Sequence, residues 1–184
     1  MVTGSLPVAF NTMKTCARAC AALFALLLAA GPGAADELSP YAATYQTSLL
    51  GMKVNLNRNL KRSADGTYTL TSAGKVLVAG LHEVSVFRVE ENRVVPKSFV
   101  YQVTGLANRR REVHFTPGSD TIRSLYKGQW YNLPYTDSTL DRMSQQEQLR
   151  LSLLNDPTPG EDMTIRVADG KRVKDYQLVY RGEE

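Results

Sequence analysis

Cysteine is almost absent from this sequence. Its 184 residues include only Cys16 and Cys20, and no cysteine follows position 20. Both lie in a segment that we predict to be removed. A chain without thiols cannot form disulfides, build a thiolate metal site or use a cysteine nucleophile. We therefore expect an apolar core and sheet hydrogen bonds to stabilise the fold.

Catalytic motifs are missing as well. The sequence contains no Gly-x-Ser-x-Gly turn, no phosphate-binding loop and no Gly-x-Gly-x-x-Gly fingerprint. Its two histidines, His82 and His114, are far apart and lack the spacing of metal ligands. We expect no metal, no cofactor and no enzymatic activity. An unrecognised hydrolase is the weaker alternative.

The N-terminal segment has the layout of a secretory signal peptide. Lys14 and Arg18 precede an apolar run at residues 19–30, and small residues follow it up to Ala35. The run is about a dozen residues long, whereas a transmembrane helix needs roughly twenty. We therefore predict a cleaved signal peptide, residues 1–35, rather than a membrane anchor.

Cleavage after Ala35 would leave residues 36–184 as a single exported domain without a transmembrane span. Met13 is an alternative start, so whether residues 1–12 are translated stays open. The domain carries 20 basic and 18 acidic residues, a net charge of +2. A charge so near neutrality gives no general attraction to nucleic acid.

Alternation of apolar and polar side chains predicts antiparallel strands. Within residues 52–60 the even positions are apolar apart from Arg58, and the odd positions are all polar. A period of two is typical of a strand with one buried face. Residues 41–49 have a similar pattern, and Gly51 is the predicted turn between the two strands.

The Ala-Asp-Gly at residues 64–66 predicts the register of the next hairpin. A three-residue loop with Gly66 in the left-handed region keeps apolar side chains on one face. A two-residue loop would turn them toward water, so the longer loop is favoured. The predicted pairs are Leu60 with Leu70, Arg58 with Ser72, and Val54 with Val76.

Further segments rich in Val, Phe, Tyr and Thr are separated by turn residues. Short strands with tight connections indicate a mainly β fold, a curved antiparallel meander that forms a half-barrel or incomplete barrel. A second Ala-Asp-Gly, at 168–170, predicts another hairpin. The segments are His82–Glu90, Val94–Thr104, Arg109–Thr116, Thr121–Tyr126, Met163–Val167 and Lys171–Tyr180.

One segment departs from this pattern. Ser144 and Glu147 have the spacing of a capping box, with the serine as N-cap. Three leucines follow at helical spacing before residues 155–157 end the helix. We predict that this amphipathic helix, residues 144–154, packs on the concave face of the sheet and leaves a cavity. The leucines are Leu149, Leu153 and Leu154.

Five short motifs occur in order along the domain. They are Tyr41-Ala42-Ala43-Thr44-Tyr45, Asp65-Gly66-Thr67-Tyr68, the arginine run into Glu112-Val113, Asp141-Arg142-Met143-Ser144 with Leu149-Arg150, and residues 167–173. Together they resemble exported bacterial proteins grouped as domain-of-unknown-function family 3108.

The resemblance implies a periplasmic, mostly antiparallel β-protein with no established activity. It also implies further strands beyond Glu184, so a C-terminally truncated chain is an alternative to a natural end there. Truncation would leave a sheet edge unpaired. The architecture is similar to periplasmic lipoprotein carriers, which is a likeness of fold alone.

Basic residues on the predicted strands are candidate ligand contacts. Arg58 lies between leucines on the buried face, so it needs either a carboxylate partner, which we favour, or a wet cavity. Arg109 and Arg111 share the face of Val113 at the rim of the sheet. They would either hold an anionic headgroup or reach solvent with their stems covering apolar surface.

Aromatic residues are numerous for a small sheet. Such side chains usually fill the core, but in an open half-barrel some would line an apolar groove that suits a lipid. Trp130, in a predicted loop at 127–130, would close one end of that groove. The candidate ligand-binding residues are Arg58, Arg109, Arg111, Tyr45, Tyr101, Tyr126 and Trp130.

These observations predict a non-enzymatic periplasmic binding or envelope-assembly protein. It would hold a hydrophobic, lipid-like ligand in an apolar groove between the sheet and the helix. The alternative is an interaction module that adds a strand of another envelope protein to its sheet edge. The predicted edge is either Thr164–Val167 or Tyr176–Tyr180.

Overall fold

The computed structural model describes residues 37–49, 52–76, 78–105, 108–157 and 162–181. The predicted signal peptide, its cleavage site and the predicted turn at Gly51 lie outside the described residues. Within these ranges the chain forms eleven strands and one helix. They are β1 Tyr41–Leu49, β2 Met52–Arg62, β3 Tyr68–Val76, β4 Ala79–Glu90, β5 Arg93–Thr104, β6 Arg109–Phe115, β7 Thr121–Tyr126, β8 Gln129–Pro134, β9 Thr139–Leu140, α1 Ser144–Asn155, β10 Met163–Asp169 and β11 Arg172–Leu178.

The strands form two sheets. Strands β1 to β8 follow one another in chain order as an antiparallel meander, which is not closed into a barrel. The second sheet has the order β11-β10-β9, with β9 parallel to β10. This confirms the predicted mainly β fold, an incomplete barrel of antiparallel strands with one helix packed on it.

The predicted register of the β2–β3 hairpin is confirmed. Leu60 pairs with Leu70, and Arg58 pairs with Ser72. The intervening loop is closed by the N–H of Ser63 on the carbonyl of Thr67 at 2.8 Å. Gly66 has φ +78°, as a three-residue loop requires. The ladder ends at Leu56 and Gly74, so the predicted Val54–Val76 pair lies beyond it.

Two predicted loops are wrong in detail. Asp169 pairs with Arg172, so Gly170-Lys171 is the turn of the second hairpin and Ala168 belongs to β10. Lys127-Gly128 is likewise a two-residue turn, with φ +51° and +78°. Trp130 therefore lies in β8, opposite Leu125, rather than in a loop.

The predicted capping box is also wrong. The side chain of Asp141, not that of Ser144, accepts backbone N–H groups, from Met143 at 2.8 Å and Ser144 at 2.9 Å. Ser144 Oγ accepts the N–H of Asp141 in return at 2.9 Å. The reciprocal pair thus lies three residues earlier than predicted, and Glu147 is left to bind elsewhere.

The buried side of α1 also differs from the prediction. Helix α1 buries Ser144, Glu147 and Leu151, whereas Leu154 is 51% exposed. Of the three predicted leucines, only Leu149 packs against the core. The helix stripe that faces the sheet is therefore partly polar.

The core lies between α1, the three-stranded sheet and one face of the eight-stranded sheet, which we call the inner face. Leu151 of α1, with Leu140 and Val167 of the small sheet, fills this space. The main sheet contributes buried apolar side chains from β2 to β8. They include Leu60, Tyr68, Leu70, Phe87, Phe99, Val113, Phe115, Ile122 and Leu133.

Candidate functional site

The strand registers align side chains in rows across the inner face. One row belongs to the core and crosses the sheet through Leu60, Leu70 and Phe99. The next row, two residues along each strand, is polar and aromatic. This polar row consists of Arg58, Ser72, Glu83, Tyr101 and Arg111.

Beyond the polar row lies an apolar row. Its members are half-buried except Tyr45, which is 51% exposed. Adjacent rows are about 7 Å apart, since two residues of a strand span that length. The inner face is therefore amphipathic, with a polar row between the core and a second apolar surface. The apolar row consists of Tyr45, Leu56, Gly74, Leu81 and Val103.

Arg111, at the β6 end of the polar row, has two aromatic neighbours. Its guanidinium carbon lies 5.5 Å from the ring centroid of Tyr101 and 5.0 Å from that of Tyr126. Arg142, which precedes α1, also lies 5.8 Å from the Tyr101 ring. Arg111 Nη1 donates to Asp169 Oδ1 at 3.4 Å. Cation–π attraction thus holds Arg111 and leaves its remaining N–H groups as donors.

A pocket of about 420 Å³ opens beside Arg111. It lies where β6 and β7 meet the β10–β11 hairpin, and four cationic side chains but only one carboxylate line it. Such a surplus favours an anionic occupant. The lining residues are Arg111, Tyr126, Asp169, Gly170, Lys171, Arg172 and Lys174.

Gly170 seats the hairpin on the main sheet. Ser124 Oγ donates to the carbonyl of Gly170 at 2.5 Å. Gly170 has φ +65°, and a Cβ there would lie 3.2 Å from Cδ2 of the Tyr126 ring. A side chain would meet the same ring that holds Arg111, so this glycine fixes one wall of the pocket.

We expect Gly170→Ala to lower the free energy of unfolding by about 1–2 kcal/mol, through backbone strain and the Tyr126 contact. Gly118→Ala is the matched control, because Gly118 has φ +75° but no atom within 4 Å of its would-be Cβ. Urea unfolding followed by circular dichroism measures both. Equal losses in the two variants would show that the Tyr126 contact is unimportant.

Arg58 has the carboxylate partner that its position requires. Its Nη2 lies 3.7 Å from Glu147 Oε1, and its Nη1 donates to Gln146 Oε1. Glu147 also accepts from Tyr41 Oη at 2.7 Å and from Arg150 Nη1 at 3.2 Å. Burial, together with the hydrogen bond and charge of Glu147, raises the pKa of Tyr41 well above its usual value. The tyrosine therefore stays a neutral donor.

Glu83 is the carboxylate in the middle of the polar row. Burial raises its pKa, while the charges of Arg142 and Arg58 act in the opposite direction. Tyr101 pairs with it across the strands. Glu83 lies between the two arginines of the polar row, Arg58 and Arg111.

The structure brings together only some of the predicted ligand-binding residues. Tyr101 and Tyr126 both contact Arg111. Arg109 is exposed at the end of the apolar row, opposite Val103. Arg58 and Tyr45 lie on the same inner face near β1.

Trp130 lies on the opposite, outer face and so cannot close an inner groove. It is 46% exposed, and Arg123 lies 4.7 Å from its ring centroid. His114 lies 5.7 Å from it on the same face. The prediction that His114 points away from the core is correct, whereas the predicted role of Trp130 is wrong.

Several site residues were not predicted as such. Asp169, Lys171 and Arg172 belong to the family motif at residues 167–173, and Arg142 belongs to the motif that begins at Asp141. The charged Asp-Gly-Lys-Arg turn is the sequence feature that could have indicated these residues. Such a turn is, however, typical of any solvent-exposed hairpin. The turn becomes a wall of the pocket because it packs on Tyr126, and this contact joins distant parts of the chain.

A second cavity, of about 250 Å³, lies between α1, β5, β9 and β10. Its lining mixes Val94, Leu140 and Ile165 with Arg93 and Gln148. Within the described ranges, no group of three or more His, Cys, Asp or Glu side chains is placed to hold a metal ion. Nor does that part of the chain contain a helix with the length and hydropathy to cross a membrane.

Comparison with known proteins gives one match. No curated protein matches the chain, and no solved structure matches it either. A family described as "Protein of unknown function (DUF3108)" matches residues 41–184, which is more than half of the sequence. This confirms the predicted family; the chain belongs to the DUF3108 family.

Proposed function

We propose that this chain is an exported, non-enzymatic binding protein that holds an amphiphile with an anionic headgroup. The observation that carries the proposal is Arg111, whose guanidinium lies over the rings of Tyr101 and Tyr126 at a pocket rich in cations. Export to the periplasm is part of the proposal and rests on the signal-like residues 1–35.

The proposal places the ligand differently from the sequence-based expectation. Between sheet and helix, the inner face is filled by side chains such as Leu151, which is 0% exposed. The cavity there, about 250 Å³, is smaller than ligand pockets of about 300–1,000 Å³. The apolar row offers a better surface for the hydrocarbon chain, because it lies about 7 Å from the polar row that would hold the headgroup.

The expected affinity depends on both parts of the ligand. Each buried CH₂ group contributes about 0.8 kcal/mol, and each hydrogen bond to a charged group about 1.5–3 kcal/mol. Loss of the Arg111 contact should therefore weaken binding by about 10- to 100-fold. Shortening the hydrocarbon chain should weaken it step by step.

We expect Arg111→Gln to weaken the binding of decanoate by about 10-fold or more. The full chain is expressed with its own N-terminus and purified from the periplasmic fraction, where its first residue should be Asp36. Isothermal titration calorimetry with decanoate and octanoate then measures affinity. Native mass spectrometry before and after solvent extraction would reveal a ligand that copurifies.

Arg123→Gln is the matched control, because Arg123 also lies over an aromatic ring but on the outer face. It should leave decanoate binding unchanged. If the wild-type protein takes up neither decanoate nor decyl phosphate and carries no copurifying amphiphile, the proposed function is wrong. Equal weakening by the two substitutions would place the ligand away from Arg111.

Strand addition is the second candidate function, and strand β11 is the observation that favours it. In the described part of the chain, β11 pairs with β10 only, and its Tyr176 is 42% exposed. The other predicted edge is less suitable, because Arg166 and Val167 of β10 pair with β9. A photocrosslinker at Gln177 that captures one envelope protein, without any amphiphile binding, would support this candidate.

A further inference from the structure

We infer that the anion taken by the Arg111 pocket is a phosphate-type oxyanion rather than a carboxylate. The inference rests on the proposed function, because the pocket must bind an anion. It specifies the chemical class of the anionic headgroup. It follows from the charge of the pocket, from the orientation of Arg111 and from the contact with Asp169.

The charge of the pocket favours a phosphate. Lys171, Arg172 and Lys174 line the pocket together with Arg111, and Asp169 is its one carboxylate. Among the described residues, none of the three hairpin cations has a carboxylate within the 4.0 Å of an ion pair, whereas Arg111 has Asp169 at 3.4 Å. A carboxylate ligand brings one negative charge, but a phosphate monoester brings about 1.5–2 near pH 7. The phosphate therefore matches the surplus better.

The donor geometry of Arg111 also favours a phosphate. Tyr101 and Tyr126 hold the guanidinium of Arg111 at centroid distances of 5.5 and 5.0 Å. A guanidinium carries its N–H donors in a planar fork, which suits paired bonds to two oxygens of one anion. A phosphate has further oxygens that remain free for the hairpin cations. A carboxylate paired with Arg111 uses both of its oxygens there and has no further oxygen for the hairpin cations.

The contact between Arg111 and Asp169 is weak enough for an anion to replace it. Asp169 Oδ1 accepts from Arg111 Nη1 at 3.4 Å, a long hydrogen bond between side chains that are 28% and 30% exposed for Arg111 and Asp169. A long, partly solvated contact is weak and can be exchanged. A phosphate can thus replace Asp169 on Arg111, and the aspartate then competes with the ligand.

The phosphate could be free or could be the headgroup of an amphiphile, and three probes distinguish the cases. Decyl phosphate, decanoate and inorganic phosphate are titrated into the full chain by calorimetry. We expect decyl phosphate to bind at least 10-fold more tightly than decanoate. We also expect it to bind more tightly than inorganic phosphate, because only decyl phosphate can use the apolar row.

Variants link the binding to the pocket. The triple substitution Lys171→Gln, Arg172→Gln and Lys174→Gln should weaken decyl phosphate binding at least 10-fold and decanoate binding much less. Arg110→Gln, on the outer face, is the control and should change neither. Asp169→Asn should tighten decyl phosphate binding several-fold, an increase that misfolding cannot produce.

The outcomes separate this inference from the proposed function. Equal affinities for decyl phosphate and decanoate would overturn the inference and leave the amphiphile proposal intact. Inorganic phosphate that binds as tightly as decyl phosphate would support the inference but contradict the amphiphile proposal. Failure of Asp169→Asn to tighten binding, together with no effect of the triple substitution, would remove the ligand from this pocket.

Discussion

Substitution of Glu147 with alanine is expected to lower the free energy of unfolding by about 3–5 kcal/mol. The side chain of Glu147 is 2% exposed, and that of Arg58 is 13% exposed. Removal of the carboxylate would leave the guanidinium of Arg58 in the protein interior without its counter-ion. Such an uncompensated charge is among the most destabilising changes a single substitution can make.

Hydrogen bonding adds to this loss. In the described part of the chain, Nε and Nη2 of Arg58 are buried and have no hydrogen-bond partner, so Arg58 depends on the nearby charge of Glu147. Tyr41 Oη would lose its acceptor, which lies 2.7 Å away. Glu147 is also in the first turn of α1, where the helix dipole favours a negative charge.

The measurement is urea unfolding at pH 7 followed by far-ultraviolet circular dichroism. Asp175→Ala is the matched control, because Asp175 also pairs with an arginine, Arg166 at 2.7 Å, but both side chains are largely exposed. It should cause no measurable change. If Glu147→Ala and Asp175→Ala behave alike, the buried pair does not stabilise the fold.

A double substitution distinguishes the loss of the pair from the loss of one partner. Replacing Arg58 and Glu147 with leucine together removes both charges and leaves none unpaired. We expect this variant to be more stable than Glu147→Ala. Glu147→Gln, which can still accept from Tyr41 but carries no charge, should lie between the wild type and Glu147→Ala.

The strands and one hairpin register could be predicted because they depend on local patterns. Alternation assigns Arg58, Leu60 and Leu70 to one face, and the loop at residues 64–66 then sets the pairing. Alternation also placed Arg111 on the inner face. These features need only the period of a strand and the conformational freedom of one glycine.

The two-residue turn before Trp130 could not be predicted from local patterns. Lys127 adopts φ +51°, an unusual value for a residue other than glycine. Composition alone favoured a longer loop around Gly128, which would have removed Trp130 from the sheet. The pairing of β7 with β8 overrides the weak local preference of Lys127.

The pocket itself could not be predicted because its two walls come from distant parts of the chain. Arg111 and Tyr126 belong to the meander, whereas Asp169 and Gly170 belong to a hairpin in a different sheet. Nothing in the spacing of one sequence indicates that Ser124 binds the carbonyl of Gly170. Contacts of this kind depend on tertiary packing rather than on periodicity.

The start of α1 also depends on a contact between distant parts of the chain. Both Asp141 to Ser144 and Ser144 to Glu147 have the spacing of a capping pair. Asp141 is 0% exposed, and Ser85 Oγ of β4 donates to its Oδ2 at 2.8 Å. This contact across 56 residues ties the start of the helix to the sheet, and no local pattern encodes it.

We expect Asp141→Ala to lower the free energy of unfolding by about 2–4 kcal/mol. The substitution removes the cap of the helix, worth about 0.5–2 kcal/mol, and leaves the buried hydroxyl of Ser85 without its acceptor. Asp141→Asn is the matched variant, because its amide oxygen can accept from Met143 and Ser144 while its NH₂ donates to Ser85. It should therefore cost much less than alanine.

The same pair of variants gives a pH test with a definite sign. Burial raises the pKa of Asp141 above its ordinary value of 3.8. A raised pKa means that the folded state binds a proton more tightly than the unfolded state does. The part of the stability that comes from this tighter proton binding is complete below pH 3.8 and is lost as the pH rises through the folded-state pKa.

Asparagine does not titrate, so Asp141→Asn should lack this part of the pH dependence. The stability of Asp141→Asn relative to the wild type is therefore expected to increase as the pH is raised from below 3.8 toward neutrality. Urea unfolding at a series of pH values measures the difference directly. A constant difference would show that Asp141 titrates alike in both states, and equal losses for the alanine and asparagine variants would show that its hydrogen bonds do not anchor the helix.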